Sequence, residues 1–269
     1  MDLVDVFKNQ VRHTPNIKDY PDDVIRVFVG VDGPRKLASE VLKYSILKNT
    51  SRRVVFFDLE NIHLSDVLTE AEMQEEEVSK AMYTGFSLYR WAIPLLCGNR
   101  GKAIYMDADI FNYSDIGELW DMDTQGHTQL QVTKYSSVML LDCAKADWCF
   151  ADICRKIVTN RKKYYRKFMF SNKGVCTGSN RGQLHRSWND LDVFREDTKM
   201  IHYTKVPRQP WSYLSHPYGQ HYYDLMNECL ELGILTDADI SESIQQKGCH
   251  KDIRKRLATP STLKVEESI

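Results

Sequence analysis

The sequence lacks the features that mark membrane, secreted and nucleic-acid-binding proteins. No apolar run approaches the roughly 18 residues that a membrane-spanning helix needs. The N-terminal segment MDLVDVFKNQVRH lacks the basic-then-apolar order of a signal peptide. The 36 Lys and Arg residues are balanced by 37 Asp and Glu residues, so there is none of the basic excess that is typical of nucleic-acid-binding proteins. We therefore expect no transmembrane span and no nucleic-acid partner.

The cysteines also lack the spacing of a disulfide framework or a zinc site. The chain has seven cysteines, an odd number, and no two of them form a Cys-x-x-Cys pair. This pattern favours reduced thiols, which persist in the cytoplasm, and we expect a cytoplasmic location. The sequence has no internal repeat or low-complexity segment either, so we expect an ordinary globular enzyme or binding protein. A homodimer is compatible with this composition.

What the sequence does contain is a series of short apolar runs bounded by turn residues, which is typical of buried strands in an α/β sheet. The runs predict strands over 25–31, 54–59, 103–107 and 137–142. Helices are predicted over 37–48, 70–82, 84–96 and 147–160, and we expect the third to bend or end near Pro94. We expect a lead-in over 1–24, one catalytic domain over 25–235, and a C-terminal helix and tail over 236–269.

The third predicted strand ends in Asp107-Ala108-Asp109. Two carboxylates at i and i+2 point to the same side of an extended chain. At the carboxyl end of a strand they lie where open α/β sheets bind ligands. Two such oxygens favour a site for a hard cation such as Mg²⁺ or Mn²⁺.

Four motifs follow one another at characteristic distances: Arg90–Pro94 (RWAIP), Tyr105–Asp109 (YMDAD), Glu118–Trp120 (ELW) and His202–Trp211. Their order and spacing resemble those of the glycogenin-like glycosyltransferases of family 8, although the last motif has one extra residue. The resemblance implies an α/β GT-A fold with a mostly parallel central sheet flanked by helices. It also implies transfer of a sugar from a UDP-sugar to a carbohydrate or glycoconjugate acceptor, with retention of the anomeric configuration.

The resemblance further implies a metal centre. Asp107, Asp109 and His202 would bind Mn²⁺, with Mg²⁺ as the alternative, and the metal would bridge the diphosphate of the donor. Two carboxylates with an imidazole favour Mn²⁺, because Mg²⁺ prefers oxygen ligands alone. The metal would neutralise the charge that develops on the departing UDP.

The same resemblance assigns donor-binding residues. Val31 and Asp32 would hold the uracil and ribose, Arg90 would approach the sugar or the phosphates, and Lys205 or Arg208 would close over the pyrophosphate. The expected donor-binding residues are Val31, Asp32, Arg90, Ala108, Ser136, Ser137, Lys205, Arg208 and Gln209.

Three departures from the family pattern leave the sugar pocket unspecified. Tyr135-Ser136-Ser137 stands where the family often has Asn-Ala-Gly, Gln209 aligns with the family's loop lysine, and no Asp-Gln-Asp motif occurs between 160 and 190. The catalytic candidates are therefore Gln183, Asp190 and Asp192, of which either aspartate could stabilise an oxocarbenium-like state. Trp188, Asn189 and Trp211 are the candidates for the acceptor or sugar pocket.

Several alternatives remain open on the sequence. Asp32–Lys36 weakly echoes the phosphate-binding loop of a sugar-phosphate nucleotidyltransferase, and Asp-x-Asp also occurs in haloacid-dehalogenase-type phosphatases. The altered segment Tyr135–Ser137 is compatible with a catalytically inactive nucleotide-sugar-binding protein. The run Arg161–Lys167 (RKKYYRK) is either a charged helix face or a site for nucleic acid, anionic lipid or a phosphorylated acceptor.

Overall fold

The fold is that of a computed structural model, which describes residues 23–31, 33–68, 86–132, 136–146, 148–170 and 181–258, with residues 7, 17, 20, 21, 78, 80 and 84. Most of the helix predicted over 70–82, together with Asp32 and Tyr135, lies outside these residues. The strands are β1 (Ile25–Gly30), β2 (Val54–Asp58), β3 (Lys102–Asp107), β4 (Ile110–Asn112), β5 (Gln129–Gln131), β6 (Val138–Asp142), β7 (Arg181–Gln183), β8 (Asp190–Leu191) and β9 (Met200–His202).

The helices of the described residues lie between and after these strands. They are α1 (Lys36–Lys48), α2 (Ile93–Leu96), α3 (Ile116–Trp120), α4 (Phe150–Thr159), α5 (Arg161–Phe170), α6 (Gly219–Glu231), α7 (Asp237–Gln245) and α8 (Ile253–Leu257). The single helix predicted over 84–96 was wrong. A 3-10 turn over Tyr89–Trp91 precedes the four-residue helix α2, because Pro94 can occupy only the first turn of a helix.

The central sheet has six strands in the order β2-β1-β3-β6-β5-β7. Five strands run in the same direction and only β6 runs against them. The predicted α/β class with a mostly parallel central sheet is confirmed. Since β1 and β3 are parallel neighbours, with Gly30 opposite Asp107, the end of β1 lies beside the Asp-x-Asp segment.

Both faces of the central sheet are buried, which explains the nearly continuous apolar runs of its strands. On β3, Ile104 and Met106 belong to one hydrophobic cluster, with helices α1 and α6. Ala103 and Tyr105 belong to the cluster on the other face, with α4. Asp107 follows Tyr105 by two residues and therefore lies on the same face as Tyr105.

A second, three-stranded sheet connects the end of β3 to a late part of the chain. Its order is β4-β9-β8, and β4 pairs with β9 in antiparallel fashion, with Ile110 opposite His202. This register is what places His202 next to the Asp-x-Asp segment.

The C-terminal helices pack onto the first hydrophobic cluster. Ile240 of α7 and Ile253 of α8 are buried there with Val41 of α1. Among the described residues, no helix has both the length and the apolar character to cross a membrane.

Gly30 should tolerate no side chain, because a Cβ there would lie 2.3 Å from the Tyr105 hydroxyl and 2.7 Å from the Phe86 ring. We expect Gly30→Ala to lower the free energy of unfolding by about 2 kcal/mol through overpacking. Gly33→Ala is the matched control, since nothing lies within 4 Å of a Cβ at that position. Urea unfolding of the two variants checks this, and equal stabilities would contradict the close packing at Gly30.

Candidate active site

The segment Asp107–Asp109 is held in place by backbone hydrogen bonds to three separate parts of the chain. The Asp107 N–H donates to the Ser137 carbonyl at 3.0 Å, and the Ala108 N–H donates to the Gly30 carbonyl at 3.0 Å. The Asp109 carbonyl accepts from the Tyr203 N–H, also at 3.0 Å. These bonds fix the backbone from which both carboxylates project.

Asp107, Asp109 and His202 form a group whose potential ligand atoms all lie within 4.8 Å of one another. The three side chains are mostly buried, with 22%, 15% and 9% of their surfaces exposed. Nε2 of His202 lies 3.1 Å from Oδ1 of Asp109. That oxygen is nevertheless buried without a hydrogen bond of normal geometry. The lone pairs of this oxygen are therefore available to a cation. Two carboxylates with one imidazole are a donor set that suits a divalent metal.

The ring of His202 is oriented by Asn189. Nδ1 of His202 lies 2.9 Å from Oδ1 of Asn189, and the Asn189 amide nitrogen donates to the Ser137 hydroxyl at 2.9 Å. With the amide in this orientation, Nδ1 of His202 must carry the proton. In its neutral form, the ring then presents the lone pair of Nε2 to the space between the carboxylates, as a metal-binding histidine does.

Asp107 is held by two further side chains. Arg90 donates from Nη2 to Asp107 Oδ1 at 3.2 Å and from Nη1 to the Ser136 carbonyl at 2.9 Å. The Tyr105 hydroxyl donates to the same oxygen of Asp107, and the Arg90 guanidinium lies over the Tyr105 ring, 4.5 Å from its centre. Arg90 is buried and much of its hydrogen-bonding capacity is used within the protein.

Asp109 is held by Gln209, the residue that aligns with the family's loop lysine. The Gln209 amide nitrogen donates to Asp109 Oδ2 at 2.8 Å and to the Tyr203 carbonyl at 2.8 Å. Gln209 is buried, so it anchors the loop to the site. A hydrogen bond from a neutral amide orients the carboxylate without neutralising it, whereas a lysine would add a positive charge.

The three titratable groups shift one another's pKa values. Burial raises the pKa of Asp107, although Arg90 opposes this. Burial also acts to raise the pKa of Asp109, but the neighbouring His202 outweighs it and lowers that pKa. For His202, burial acts to lower the pKa, and the carboxylate of Asp109 overcomes it, so the pKa lies above its ordinary value.

A cleft of about 140 Å³ opens onto the carboxylates. Its lining includes Gly30, Arg35, Arg90, Asp107, Asp109 and Tyr165. The positive charge of Arg35 acts on Asp109 and lowers its pKa further. The cleft therefore brings two acids and two arginines together at the carboxyl ends of β1 and β3, a combination that suits a metal-bound phosphate group.

The other predicted donor-binding residues lie around this cleft or on the surface. Val31 is buried just beyond β1, and Ala108 lies in the cleft wall. Ser136 and Ser137 are buried, and their contacts are to Arg90, Asn189 and the backbone of Asp107. Lys205 and Arg208 are exposed on the loop that follows β9.

The catalytic candidates occupy three different settings. Asp190 is buried, and both of its oxygens are taken by Arg186, Arg195 and Thr198. Asp192 accepts hydrogen bonds from the Thr204 N–H at 3.0 Å and the Thr204 hydroxyl at 2.6 Å.

The third candidate, Gln183, is exposed on β7. By contrast, the hydrogen bonds that Asp190 accepts from Arg186, Arg195 and Thr198 join residues that are close in sequence. These bonds stabilise the loop before β9.

Two predicted pocket residues are part of the core. Trp188 is 1% exposed, with Lys199 Nζ 4.7 Å from the ring centre, and Trp211 is 3% exposed and packs against Phe111. Sequence reasoning placed Asn189 in the acceptor pocket and missed its contact with His202. Only the proximity of Asn189 to the other pocket candidates pointed towards the site, because its partner lies 13 residues away on β9.

Solved structures of glycosyltransferases share this fold. The galactosyltransferase LgtC, solved with donor and acceptor sugar analogues, is 11% identical and matches 76% of this chain and 96% of its own, with a TM-score of 0.56. The bifunctional glycosyltransferase WbbM is 15% identical over 80% of this chain and 52% of its own, with a TM-score of 0.56. GlyE of Streptococcus pneumoniae TIGR4 is 14% identical over 89% and 66%, with a TM-score of 0.53.

No curated protein matches the chain at a significant level. The model of glycosyl transferase family 8 matches residues 29–176, which is more than half of the chain. The matched region contains Arg90, Asp107 and Asp109 and ends before His202. It does not favour a nucleotidyltransferase or a phosphatase. With four ordered motifs, the shared fold and this match, the chain belongs to glycosyl transferase family 8 and is a glycosyltransferase.

Proposed function

We propose that this glycosyltransferase uses a UDP-sugar as donor and Mn²⁺ as cofactor, and that it retains the anomeric configuration. The observation that carries the proposal is the group of Asp107, Asp109 and His202, with an unsatisfied carboxylate oxygen facing an imidazole nitrogen. Membership of family 8 supports a nucleotide-sugar donor. The acceptor would be a carbohydrate or glycoconjugate.

The residues of the chain would divide the work. Asp107, Asp109 and Nε2 of His202 would hold the metal, which when bound would neutralise the charge developing on the leaving diphosphate. Asn189 would fix the orientation of the imidazole and the tautomer that leaves Nε2 free for the metal. Arg90 and Gln209 would each orient one carboxylate, and these contacts exist before the ligand binds, so the site needs little reorganisation.

The donor would lie along the carboxyl ends of β1 and β3. Asp32, Val31 and Gly33 follow β1, where the nucleoside would bind, and Arg35 borders the same cleft as the carboxylates. Lys205 and Arg208 are exposed on the loop after β9 and would reach the diphosphate from the other side. Asp190 is already neutralised by two arginines, which argues against a role for it as a nucleophile.

Asp109→Ala should abolish metal-dependent turnover and leave the protein folded. We expect a loss on the order of 100-fold, because the site loses one of its charge-bearing ligands. The measurement is UDP release from a panel of UDP-sugars, with and without Mn²⁺. Asp121→Ala is the control, since Asp121 pairs with Arg52 on the surface. Unchanged metal-dependent release by the Asp109 variant would remove the metal assignment, and release from no UDP-sugar by the wild type would remove the donor assignment.

Asn189→Ala should weaken Mn²⁺ binding by about tenfold or more, because the imidazole loses the partner that fixes its orientation. Electron paramagnetic resonance of free Mn²⁺ measures this directly. Asn227→Ala is the matched control, because the Asn227 side chain donates to the Leu257 carbonyl and lies on α6, away from His202. Equal affinities for the two variants would show that Asn189 does not position His202.

Mn²⁺ affinity should also depend on pH through His202. Its pKa is raised, so the ring stays protonated to a higher pH than an ordinary histidine, and a protonated ring cannot bind metal. Affinity should therefore rise as the pH increases through that pKa and then level off. The His202→Gln variant should bind Mn²⁺ more weakly and lose this part of the pH dependence. A variant whose Mn²⁺ affinity has the wild-type pH profile would show that His202 is not a ligand.

A further inference from the structure

One stretch of the chain combines many basic residues with no acidic ones. Residues 153–189 contain ten Lys and Arg residues and no Asp or Glu, although the whole chain has 37 acidic residues and a net charge of −1. The remainder of the chain therefore carries a net charge of −11. Some of these cations are paired, since Arg155 contacts Asp152 and Arg186 contacts Asp190 and Asp197, so the unpaired cations decide what the surface can attract.

Two residues of this acid-free stretch lie at the active site. One is Tyr165 of α5, which lines the cleft that contains Asp107 and Asp109. The other is Asn189, the last residue of the stretch, which contacts His202. Lys162 and Lys163 of α5 are within three residues of Tyr165, which lines the cleft.

The exposed cations of α5 face solvent. Lys162 and Lys163 are both exposed, and in the part of the chain that the structure describes neither forms a salt bridge. Lys163 Nζ lies 5.1 Å from the ring centre of Tyr164, its neighbour in the helix. On α4, the preceding helix, the one acidic residue, Asp152, pairs with Arg155. Among the described residues, no carboxylate forms a salt bridge with Lys162 or Lys163.

We propose that the surface formed by Lys162 and Lys163 of α5, which we call the basic face, binds an acceptor glycan that carries several negative charges. The proposal rests on the proposed glycosyltransferase function and specifies the chemistry of the acceptor. Phosphate, sulfate or carboxylate groups along a glycan chain would be attracted to the basic face and would guide its end to the cleft beside Tyr165.

The composition of the surface favours a charged glycan over a lipid bilayer. A helix that binds at a bilayer surface presents an apolar face to the lipid. Among the described side chains of α4 and α5, the only large apolar one that is exposed is Val158, at 36%. Tyr164 and Tyr165 are half-buried against the second hydrophobic cluster. The basic face therefore offers charge and hydrogen-bond donors with almost no apolar surface.

The test compares binding of a fluorescently labelled, sulfated octasaccharide with binding of its chemically desulfated form, by fluorescence anisotropy on the full chain. Wild type should bind only the sulfated form. The double variant Lys162→Glu, Lys163→Glu should bind it about tenfold more weakly, because two cations are replaced by two anions. The control Arg53→Glu, Lys251→Glu makes the same change at exposed cations outside the stretch and should bind as wild type does.

Three results would overturn the proposal. One is equal binding of the sulfated and desulfated forms, and another is equal weakening by the two double variants. The third is binding of phosphatidylglycerol vesicles that depends on Lys162 and Lys163 when the octasaccharide is not bound, which would assign the basic face to a membrane.

Acceptor-independent UDP release separates this proposal from the proposed function. The Lys162→Glu, Lys163→Glu variant should hydrolyse the donor at the wild-type rate, since neither residue belongs to the metal or donor site. A protein that binds the octasaccharide through the basic face but never releases UDP would contradict the donor assignment alone.

Discussion

The antiparallel pairing of β4 with β9 is the constraint on which the active site depends. It sets Ile110 opposite His202 and joins the Asp109 carbonyl to the Tyr203 N–H at 3.0 Å. Asp109 and His202, which are 93 positions apart in the sequence, are thereby brought into contact. A shift of one residue in this register would turn the imidazole of His202 to the opposite face of the small sheet, away from Asp109. The six-stranded sheet supplies the carboxylates, but the small sheet completes the site.

Much of the fold was predictable because its strands are short, apolar and bounded by turn residues. The strands that became β1, β2, β3 and β6 were predicted within one or two residues, since both faces of the sheet are buried and select the same residue types. The helix predicted over 84–96 failed because its composition is apolar on most sides, which gives no period to read, and Pro94 limits α2 to one turn. Nothing in the order of residues specifies such a series of turns.

The candidate site was predictable in part. The residues that are close in sequence could be placed together from local geometry, and those that are far apart could not. The two carboxylates lie at i and i+2 on one strand, so local geometry places them together. His202 was assigned through the order of motifs. The side chains that orient these three groups, namely Arg90, Asn189 and Gln209, act through tertiary contacts across 13 to 100 residues. Sequence patterns assign residue types to elements but do not state which way a buried amide points, so the supporting contacts required the structure.

The central claim is that Asp107, Asp109 and His202 bind one divalent metal together with the diphosphate of the donor. Diffraction from crystals grown with Mn²⁺ and UDP, recorded at the manganese absorption edge, tests this most directly. We expect one strong anomalous peak that marks a manganese ion within coordination distance of both carboxylates and of Nε2 of His202. Oxygens of the diphosphate should complete its coordination. A peak elsewhere, or bound UDP with no metal between these three side chains, would contradict it.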